Sequence, residues 1–319
     1  MRVILIGHGS NAGYWLDDLS SHRQSILVAI VNDEADASSG AGVPPVFSTL
    51  DTALHKVQAN AVFLSGDTFI ENADRALSAG LSLIVANPES VTMDEVQALT
   101  AAANRGSGRI FAIRTLQYRK CGRMVRRFLQ SERLGAIGLV SCIDRRSRSA
   151  NAKHAVGEGS QLGRFGASQL LEICDLFDSP PLNVMARVTG MAGAGSYTEA
   201  YLELRDRTHI HYFGSLDAGI DEHTLWIEGT KGSLRTNGRS VWWRKRGWPV
   251  FVPVRPGLPQ SDSADSTGFG RVAALIDRRS ADAGPDDLPL IELTAVAMES
   301  GRRQRPMKLS QDMAGAAKP

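Results

Sequence analysis

Glycines with a distinctive spacing lie near the beginning of the chain, in the stretch GHGSNA. Gly7 permits a tight turn, Gly9 allows close approach of the backbone to a ligand, and the small Ala12 stands where a third glycine often lets a helix pack on a strand. The stretch follows the apolar run VILI and precedes a helical pattern, so N–H groups at a helix N-terminus are available to phosphate. This spacing predicts a loop that binds the pyrophosphate of a dinucleotide.

The second predicted strand, SILVAIV, ends in polar residues about 20 positions beyond this loop, where an acidic residue commonly accepts hydrogen bonds from a ribose. Either Asn32 or Asp33 occupies that place. Two neighbouring carboxylates, Asp33 and Glu34, without an adjacent arginine would repel a 2′-phosphate, which favours NAD over NADP. The predicted cofactor contacts are Gly7, Gly9, Ser10, Asn11, Ala12, Asn32, Asp33, Ser65, Asn87 and Pro88.

Strand and helix patterns alternate through the first third of the chain, as far as the run RIFAI that ends at Ile113. Short connections between them predict a parallel sheet covered on both faces. The second half is different, because extended segments such as LNVMARVTG, SYTEAYLELRD and THIHYFGSL follow one another through hairpin-like turns. They predict an antiparallel sheet, and the length of 319 residues fits two domains.

The composition is that of an ordinary globular protein, with 43% apolar and 22% charged residues. Its 36 basic and 34 acidic side chains leave a net charge of +2, which argues against a surface that attracts nucleic acid or anionic lipid as a whole. Three widely separated cysteines do not form a disulfide framework. No apolar run is long enough for a membrane span or a secretory signal. These observations predict a cytoplasmic protein with reduced thiols.

Five stretches occur in a fixed order over nearly the whole chain: GHGSNA, ALSAGLSLIVANP, ERLGAIGLV, LWIEGTKGSLR and ELTAVAMESGRR. Together they resemble the glucose-fructose oxidoreductase, inositol dehydrogenase and rhizopine-catabolism (Gfo/Idh/MocA) family. The resemblance implies an α/β fold with an N-terminal Rossmann domain, a doubly wound parallel sheet, in residues 1–116. Residues 117–319 would form an α+β domain with a large, mainly antiparallel open sheet, which in this family commonly forms a homo-oligomer.

The residues that transfer protons in that family are replaced here. Asn87 stands in place of the lysine of the family's Glu-Lys-Pro, and the pattern Asp-x-Gly-x-His-x-x-Asp corresponds to Arg164, Gly166, Ser168 and Leu171. A positioned base contributes about 10²- to 10⁴-fold to the oxidation of an alcohol. Neither Asn87 nor Ser168 titrates near neutral pH, although both side chains can hydrogen-bond a substrate. The usual base is therefore missing from its usual place.

Other side chains could replace that base. Tyr118 and Lys120, just after the last strand of the first domain, are the candidate catalytic residues, and Lys153 and His154 lie in a later polar segment. The alternative for each is an ordinary solvated side chain. Arg164 and Ser168 are the candidate substrate-binding residues, because a guanidinium in place of an acid suits a carboxylate or phosphate.

Three further features have simpler explanations than a ligand site. The stretch VWWRKRGWPVF contains Trp242, Trp243 and Trp248 around a basic turn, which packing on the sheet or on a partner subunit explains better than stacking on nucleic acid. The arginine-rich stretches DRRSRS and GRRQR are explained as solvated segments. His209 and His211 alternate along one strand and face one side, but no third ligand is evident, so no metal site is predicted.

Two classes of function follow. The first is an NAD(P)-dependent oxidoreductase of the Gfo/Idh/MocA type, which transfers a hydride to or from a small polar substrate (sugar-like, cyclitol, imine or conjugated) with a non-standard proton donor. The alternative is a catalytically silent homologue that binds a nucleotide or a sugar and acts through a partner protein. Turnover of a nicotinamide cofactor distinguishes the two.

Overall fold

The computed structural model describes most of the chain in two compact units. The described residues are 1–7, 19, 25–32, 44–65, 69–86, 91–113, 120–146, 167–177, 179, 181–190, 196–216, 219–255, 272, 276 and 287–309. The first unit takes its residues from Met1–Ile113 and Thr267–Ile291, and the second takes them from Arg114–Ser266 and Glu292–Ala314. Among the described helices, none is long and apolar enough to cross a membrane.

The first unit contains a six-stranded parallel sheet in the order β3-β2-β1-β4-β5-β6. Strands β1 and β4 are buried almost throughout, as near-continuous apolar runs are when helices cover both faces of a sheet. The strands are β1 (Arg2–Gly7), β2 (Ile26–Val31), β3 (Val46–Phe47), β4 (Ala61–Ser65), β5 (Ser82–Val85) and β6 (Ile110–Ala112). The predicted doubly wound parallel sheet is confirmed.

The helices of this unit are α1 (Leu50–Lys56), α2 (Phe69–Ser78) and α3 (Met93–Arg105). The beginning of α3 is fixed by a capping box in which Glu95 N–H donates to Thr92 Oγ1 and Thr92 N–H donates to Glu95 Oε2. Asp287 closes the sheet beyond β6, since its carboxylate accepts the Ala112 N–H at 3.0 Å and its own N–H donates to the Ile110 carbonyl.

The second unit contains a nine-stranded sheet in the order β14-β13-β12-β11-β7-β10-β9-β8-β15. Every neighbouring pair is antiparallel except β7 and β10, which are parallel. The strands are β7 (Ile137–Arg146), β8 (Pro181–Gly190), β9 (Ser196–Leu204), β10 (His209–Leu216), β11 (Glu222–Gly229), β12 (Gly232–Thr236), β13 (Val241–Lys245), β14 (Val252–Pro253) and β15 (Met307–Lys308). This sheet confirms the predicted mainly antiparallel second domain.

The two faces of the nine-stranded sheet differ sharply in burial. On one face, alternate residues of each strand are buried, as at Val140, Cys142 and Ala186. Helices α4 (Lys120–Gln130), α5 (Ala167–Cys174) and α6 (Leu288–Arg303) belong to this half of the chain, and the division between the units falls within α6. The other face exposes 40 to 50% of Leu139, Met185, Tyr197 and Tyr201, so the sheet is open there.

Candidate functional site

The carboxyl edge of the parallel sheet brings together the ends of three neighbouring strands. Gly7 ends β1 and lies opposite Ser65, which ends β4, while Asn32 directly follows β2 on the other side of β1. The strand order reverses at β1, because β2 and β3 lie on one side of it and β4 to β6 on the other. In open α/β sheets, this reversal leaves a crevice at the carboxyl ends of the strands, where ligands bind.

Ser65 has an unsatisfied polar atom at this edge. Its side chain is buried, and Oγ makes no hydrogen bond to any described residue. A buried hydroxyl without a partner costs roughly 1–3 kcal/mol. A ligand group that exchanges a hydrogen bond with this hydroxyl would remove the cost, so Ser65 fits a nucleotide bound at the switch point.

Three of the predicted cofactor contacts, Gly7, Asn32 and Ser65, are described, and they lie together at the carboxyl edge of the parallel sheet. The Asn32 N–H donates to the Phe47 carbonyl at 3.0 Å, so its backbone donor is already used by β3. The remaining predicted contacts lie outside the described residues: Gly9, Ser10, Asn11, Ala12, Asp33, Asn87 and Pro88.

The predicted residues of the second domain are only partly described. Lys120 begins α4 and Ser168 is the second residue of α5. Tyr118, Lys153, His154 and Arg164 lie outside the described residues.

A polar cavity of about 620 Å³ lies in the second unit, at the first turns of α4 and α5 and at the ends of strands β11 and β12. This volume is within the range of small-molecule sites. Its lining includes Cys121, Gln169, Glu172, His223, Arg235 and Arg239. Gln169 follows Ser168 directly, and its Oε1 is buried without a hydrogen-bond donor among the described residues. The cavity therefore offers a charged lining and an acceptor that a ligand hydroxyl would satisfy.

A histidine and an acid face each other beside this cavity. The register of β7 and β11 pairs Asp144 with His223, two residues beyond the buried pair Cys142 and Leu225 on the covered face of the sheet. His223 Nδ1 lies 3.7 Å from Asp144 Oδ1. The Asp144 side chain is 1% exposed and that of His223 is 18% exposed, so the acid lies behind the ring and the ring reaches the cavity.

The turn between β12 and β13 lies on one side of the imidazole. Gly238 adopts a positive φ of +81°, and a Cβ there would lie 3.4 Å from His223 Cδ2. Ser240 N–H and Arg239 N–H both donate to Asn237 Oδ1, which fixes the turn in this conformation. A side chain at position 238 would therefore contact the ring.

The carboxylates of Asp144 and Glu172 also act on the thiol of Cys142. Burial is the main cause that raises the pKa of Cys142 far above its usual range, and the carboxylates of Asp144 and Glu172 raise it further. Burial also raises the pKa of Cys174 to about 12. All three cysteines are buried and free of disulfides. Cys142 and Cys174 are therefore protonated near neutral pH and unsuited to act as nucleophiles.

The two histidines predicted to share a side do so, on the open face of the nine-stranded sheet. His211 stacks on Tyr201 with ring centroids 4.4 Å apart, and its Nε2 lies 3.6 Å from Glu199 Oε1. Within the described part of the chain, no three His, Cys, Asp or Glu residues are grouped as metal ligands.

The tryptophan of β13 is in contact with other aromatic rings. The Trp243 ring lies 5.9 Å from that of Phe128 in α4 and 5.5 Å from that of Trp248, measured between centroids.

Sequence reasoning did not select Asp144, Glu172 or His223. A signal for Asp144 was present, because the alternation in VSCID places an acid on the same face as Val140 and Cys142. No local signal pairs it with His223, which is distant in the sequence and becomes its neighbour only through the pairing of β7 with β11.

The fold is similar to that of several solved oxidoreductases. A dehydrogenase from Chromobacterium violaceum is 14% identical, with a TM-score of 0.78 over 96% of this chain and 95% of that chain. The WlbA dehydrogenase from the same organism, in complex with NADH and UDP-GlcNAcA, is 17% identical, with a TM-score of 0.74 over 97% and 96%. An oxidoreductase from Agrobacterium radiobacter in complex with NAD⁺, L-tartaric acid and magnesium is 15% identical, with a TM-score of 0.76 over 97% and 98%.

Similarity at this level of identity establishes a shared fold that extends over both units. No protein-family model matches the sequence, and a comparison with curated proteins finds no match.

Proposed function

We propose that the protein is an NAD(P)-dependent oxidoreductase of the Gfo/Idh/MocA type that transfers a hydride to or from a small polar substrate. The observation that carries the proposal is the pairing of Gly7 with Ser65 at the switch point of the parallel sheet, in a chain that shares its fold over nearly its full length with dehydrogenases. The five sequence stretches that resemble the family support the same assignment.

The cofactor fits the first unit on two grounds. Gly7 ends β1 where a pyrophosphate loop begins, and the buried Ser65 hydroxyl offers a hydrogen bond to a bound group. The residues proposed to hold it are Gly7, Gly9, Ser10, Asn11, Ala12, Asn32, Asp33, Ser65, Asn87 and Pro88. When bound, the nicotinamide would supply or accept the hydride, and Asp33 and Glu34, which follow β2 in the sequence, favour NAD over NADP.

The substrate is proposed to bind in the cavity of the second unit. Gln169 offers a buried acceptor, and Arg235 and Arg239 offer positive charge, which together suit a ligand with hydroxyl groups and a carboxylate or phosphate. Arg164 and Ser168 remain proposed substrate contacts, because Ser168 precedes Gln169 in the first turn of α5. Tyr118 and Lys120, at the beginning of α4 in the sequence, are the proton donors that the sequence offers as candidates.

The open face of the nine-stranded sheet is proposed to join copies of the chain. Leu139, Met185, Tyr197 and Tyr201 expose large apolar surfaces on this one face. A twofold axis would place the same patch of two subunits against each other, which buries these side chains without requiring a second binding surface.

The test begins with binding and continues to turnover. The chain is titrated with NADH and NADPH while nicotinamide fluorescence is followed, and the absorbance of the cofactor is then monitored with a panel of ketoses, inososes and imines. Binding followed by turnover of a panel compound supports an oxidoreductase. Binding without any turnover supports the silent homologue, and the absence of binding by either cofactor contradicts the oxidoreductase.

A further inference from the structure

We propose that His223, oriented by Asp144, is the group that exchanges the substrate proton in place of the missing lysine and histidine. The inference rests on the proposed oxidoreductase function and names a residue of the second-unit cavity that sequence patterns did not suggest. The evidence is geometric: a histidine lines the cavity, and a buried carboxylate lies behind it.

The orientation of the ring suits proton exchange through Nε2. Nδ1 is the nitrogen nearest Asp144, at 3.7 Å, and it is buried without a hydrogen-bond partner among the described residues. The exposed 18% of the side chain is therefore on the part of the ring away from Nδ1. A carboxylate at Nδ1 selects the tautomer whose Nε2 is free to accept a proton, and it stabilises the imidazolium once that proton has arrived. At 3.7 Å the two atoms are not hydrogen-bonded, and catalytic hydrogen bonds of this kind often form only when substrate binds.

Burial of the Asp144 carboxylate costs hydration free energy that an apolar side chain in its place would not lose. It lies on the covered face of β7, on the same side as Val140 and Cys142, with 1% of its side chain exposed. A carboxylate in such a place loses its hydration and needs nearby positive charge or donors. A charged imidazole at 3.7 Å would supply part of that positive charge.

Other charged groups line the same cavity. The carboxylates are those of Glu172 in α5, Asp221 just before β11 and Glu222 at its start, and Glu222 pairs with Arg145 at 3.4 Å. The guanidinium groups are those of Arg235 in β12 and Arg239 in the following turn. Cys121 of α4 completes the titratable lining. The cavity around His223 therefore contains carboxylates from α5 and the beginning of β11, and guanidinium groups from β12 and the turn after it.

The proposed step balances for the reduction of a carbonyl. The carbonyl carbon of the substrate accepts a hydride with its electron pair from the reduced cofactor, and the π pair of the C=O bond moves to oxygen. That oxygen accepts a proton from Nε2 of the His223 imidazolium, which gives the alcohol, the oxidised cofactor and a neutral imidazole. Solvent returns a proton to the imidazole, and Asp144 stays ionised. Oxidation of an alcohol is the reverse, with the imidazole as base.

The test compares His223→Gln and Asp144→Asn with His55→Gln, an exposed histidine of α1 in the first unit. NADH binding is measured by fluorescence, and kcat, KM and their pH profiles are measured with a compound that the panel shows to be turned over. We expect His223→Gln to lose about 10²- to 10⁴-fold in kcat, with NADH affinity unchanged and the limb of the pH profile that reports the imidazole absent. Added imidazole should restore part of its activity.

Asp144→Asn should lose less activity and shift the same limb toward lower pH, while His55→Gln should behave as the unmodified chain does. If His223→Gln does not fold, judged by circular dichroism and thermal melting, Asp144→Asn and His223→Asn provide the same comparison. Unchanged kcat and an unchanged pH profile in the His223 variant would overturn the inference and leave the proposed function standing. An unmodified chain that turns over no panel compound with either cofactor would overturn the proposed function and this inference together.

Discussion

Gly7 and Ser65 lie directly opposite each other at the carboxyl ends of adjacent parallel strands, and the Ser65 hydroxyl has no hydrogen-bond partner among the described residues. The glycine has no side chain at the end of β1, and the serine on the neighbouring strand ends in a buried polar atom. An unsatisfied buried hydroxyl lowers the stability of the ligand-free protein and raises the gain when a ligand binds. A ligand that bonded to this hydroxyl would therefore stabilise the first unit.

Replacing Ser65 with alanine tests that link. The variant loses the unsatisfied hydroxyl, so its melting temperature without ligand should equal or exceed that of the unmodified chain. Its NADH affinity should fall about fivefold, because roughly 1 kcal/mol of hydrogen bonding is lost. Differential scanning fluorimetry with and without NADH measures both effects. Ser82→Ala is the matched control. Ser82 begins β5 and so lies at the amino edge of the sheet, away from Ser65, and its replacement should leave NADH affinity unchanged.

The choice between cofactors depends on the end of β2. Asp33 and Glu34 follow Asn32 in the sequence, and their carboxylates should repel a 2′-phosphate, so NADH should bind several-fold more tightly than NADPH. Asp33→Ser should reduce this difference by improving NADPH binding. Fluorescence titration of the two reduced cofactors provides the measurement, and tighter binding of NADPH by the unmodified chain would contradict the prediction.

We expect the chain to form an oligomer through the open face of the nine-stranded sheet. A single charged side chain introduced on that face should disrupt the oligomer. Tyr201 is 48% exposed near the middle of that face, and arginine there should shift the unmodified assembly toward monomers. Light scattering coupled to size exclusion measures the molar mass. Ile26→Arg changes a similarly exposed apolar residue in the first unit and should have no effect on mass. A monomeric unmodified chain would rule out assembly through this face.

Acid should destabilise the end of α6 through Glu299. Hydrogen bonds from Arg302 are the main cause that lowers the pKa of Glu299 to about 2, and Arg303 contributes further. A carboxyl with a lowered pKa stabilises the folded state above its unfolded pKa of 4.5, and this contribution is lost as pH falls toward 2. Glu299→Gln should therefore melt lower than the unmodified chain at pH 6, with the difference vanishing near pH 2. Thermal melts across this range measure it, and an equal difference at both ends would refute the assignment.

Much of the fold could be predicted because its signals are local. The runs VILIG and SILVAIV, each followed by polar or glycine residues, indicate buried strands from their own composition. The parallel arrangement of the strands in the first unit follows from the alternation of strand and helix patterns. The alternation in the second half likewise indicates strands with one covered face and one open face.

The neighbours within the nine-stranded sheet could not be predicted in this way. Strand β7 lies between β10 and β11, and the pairing with β10 is parallel, although hairpin-like turns suggest antiparallel neighbours. Side-chain alternation reports which face a residue occupies but not which distant strand it meets. Asp144 could therefore be placed on the covered face, whereas its proximity to His223 required the observed register.

Binding of NADH to the unmodified chain and to Gly9→Val tests the central claim most directly, because the glycine loop is where the sequence predicts the pyrophosphate of the cofactor. A valine side chain there would occupy the space of the pyrophosphate. Enhanced nicotinamide fluorescence should appear with the unmodified chain and be lost with the variant, while circular dichroism and the melting transition stay the same. Equal affinity in the two proteins, or no NADH and NADPH binding by the unmodified chain, would contradict a dinucleotide-dependent function.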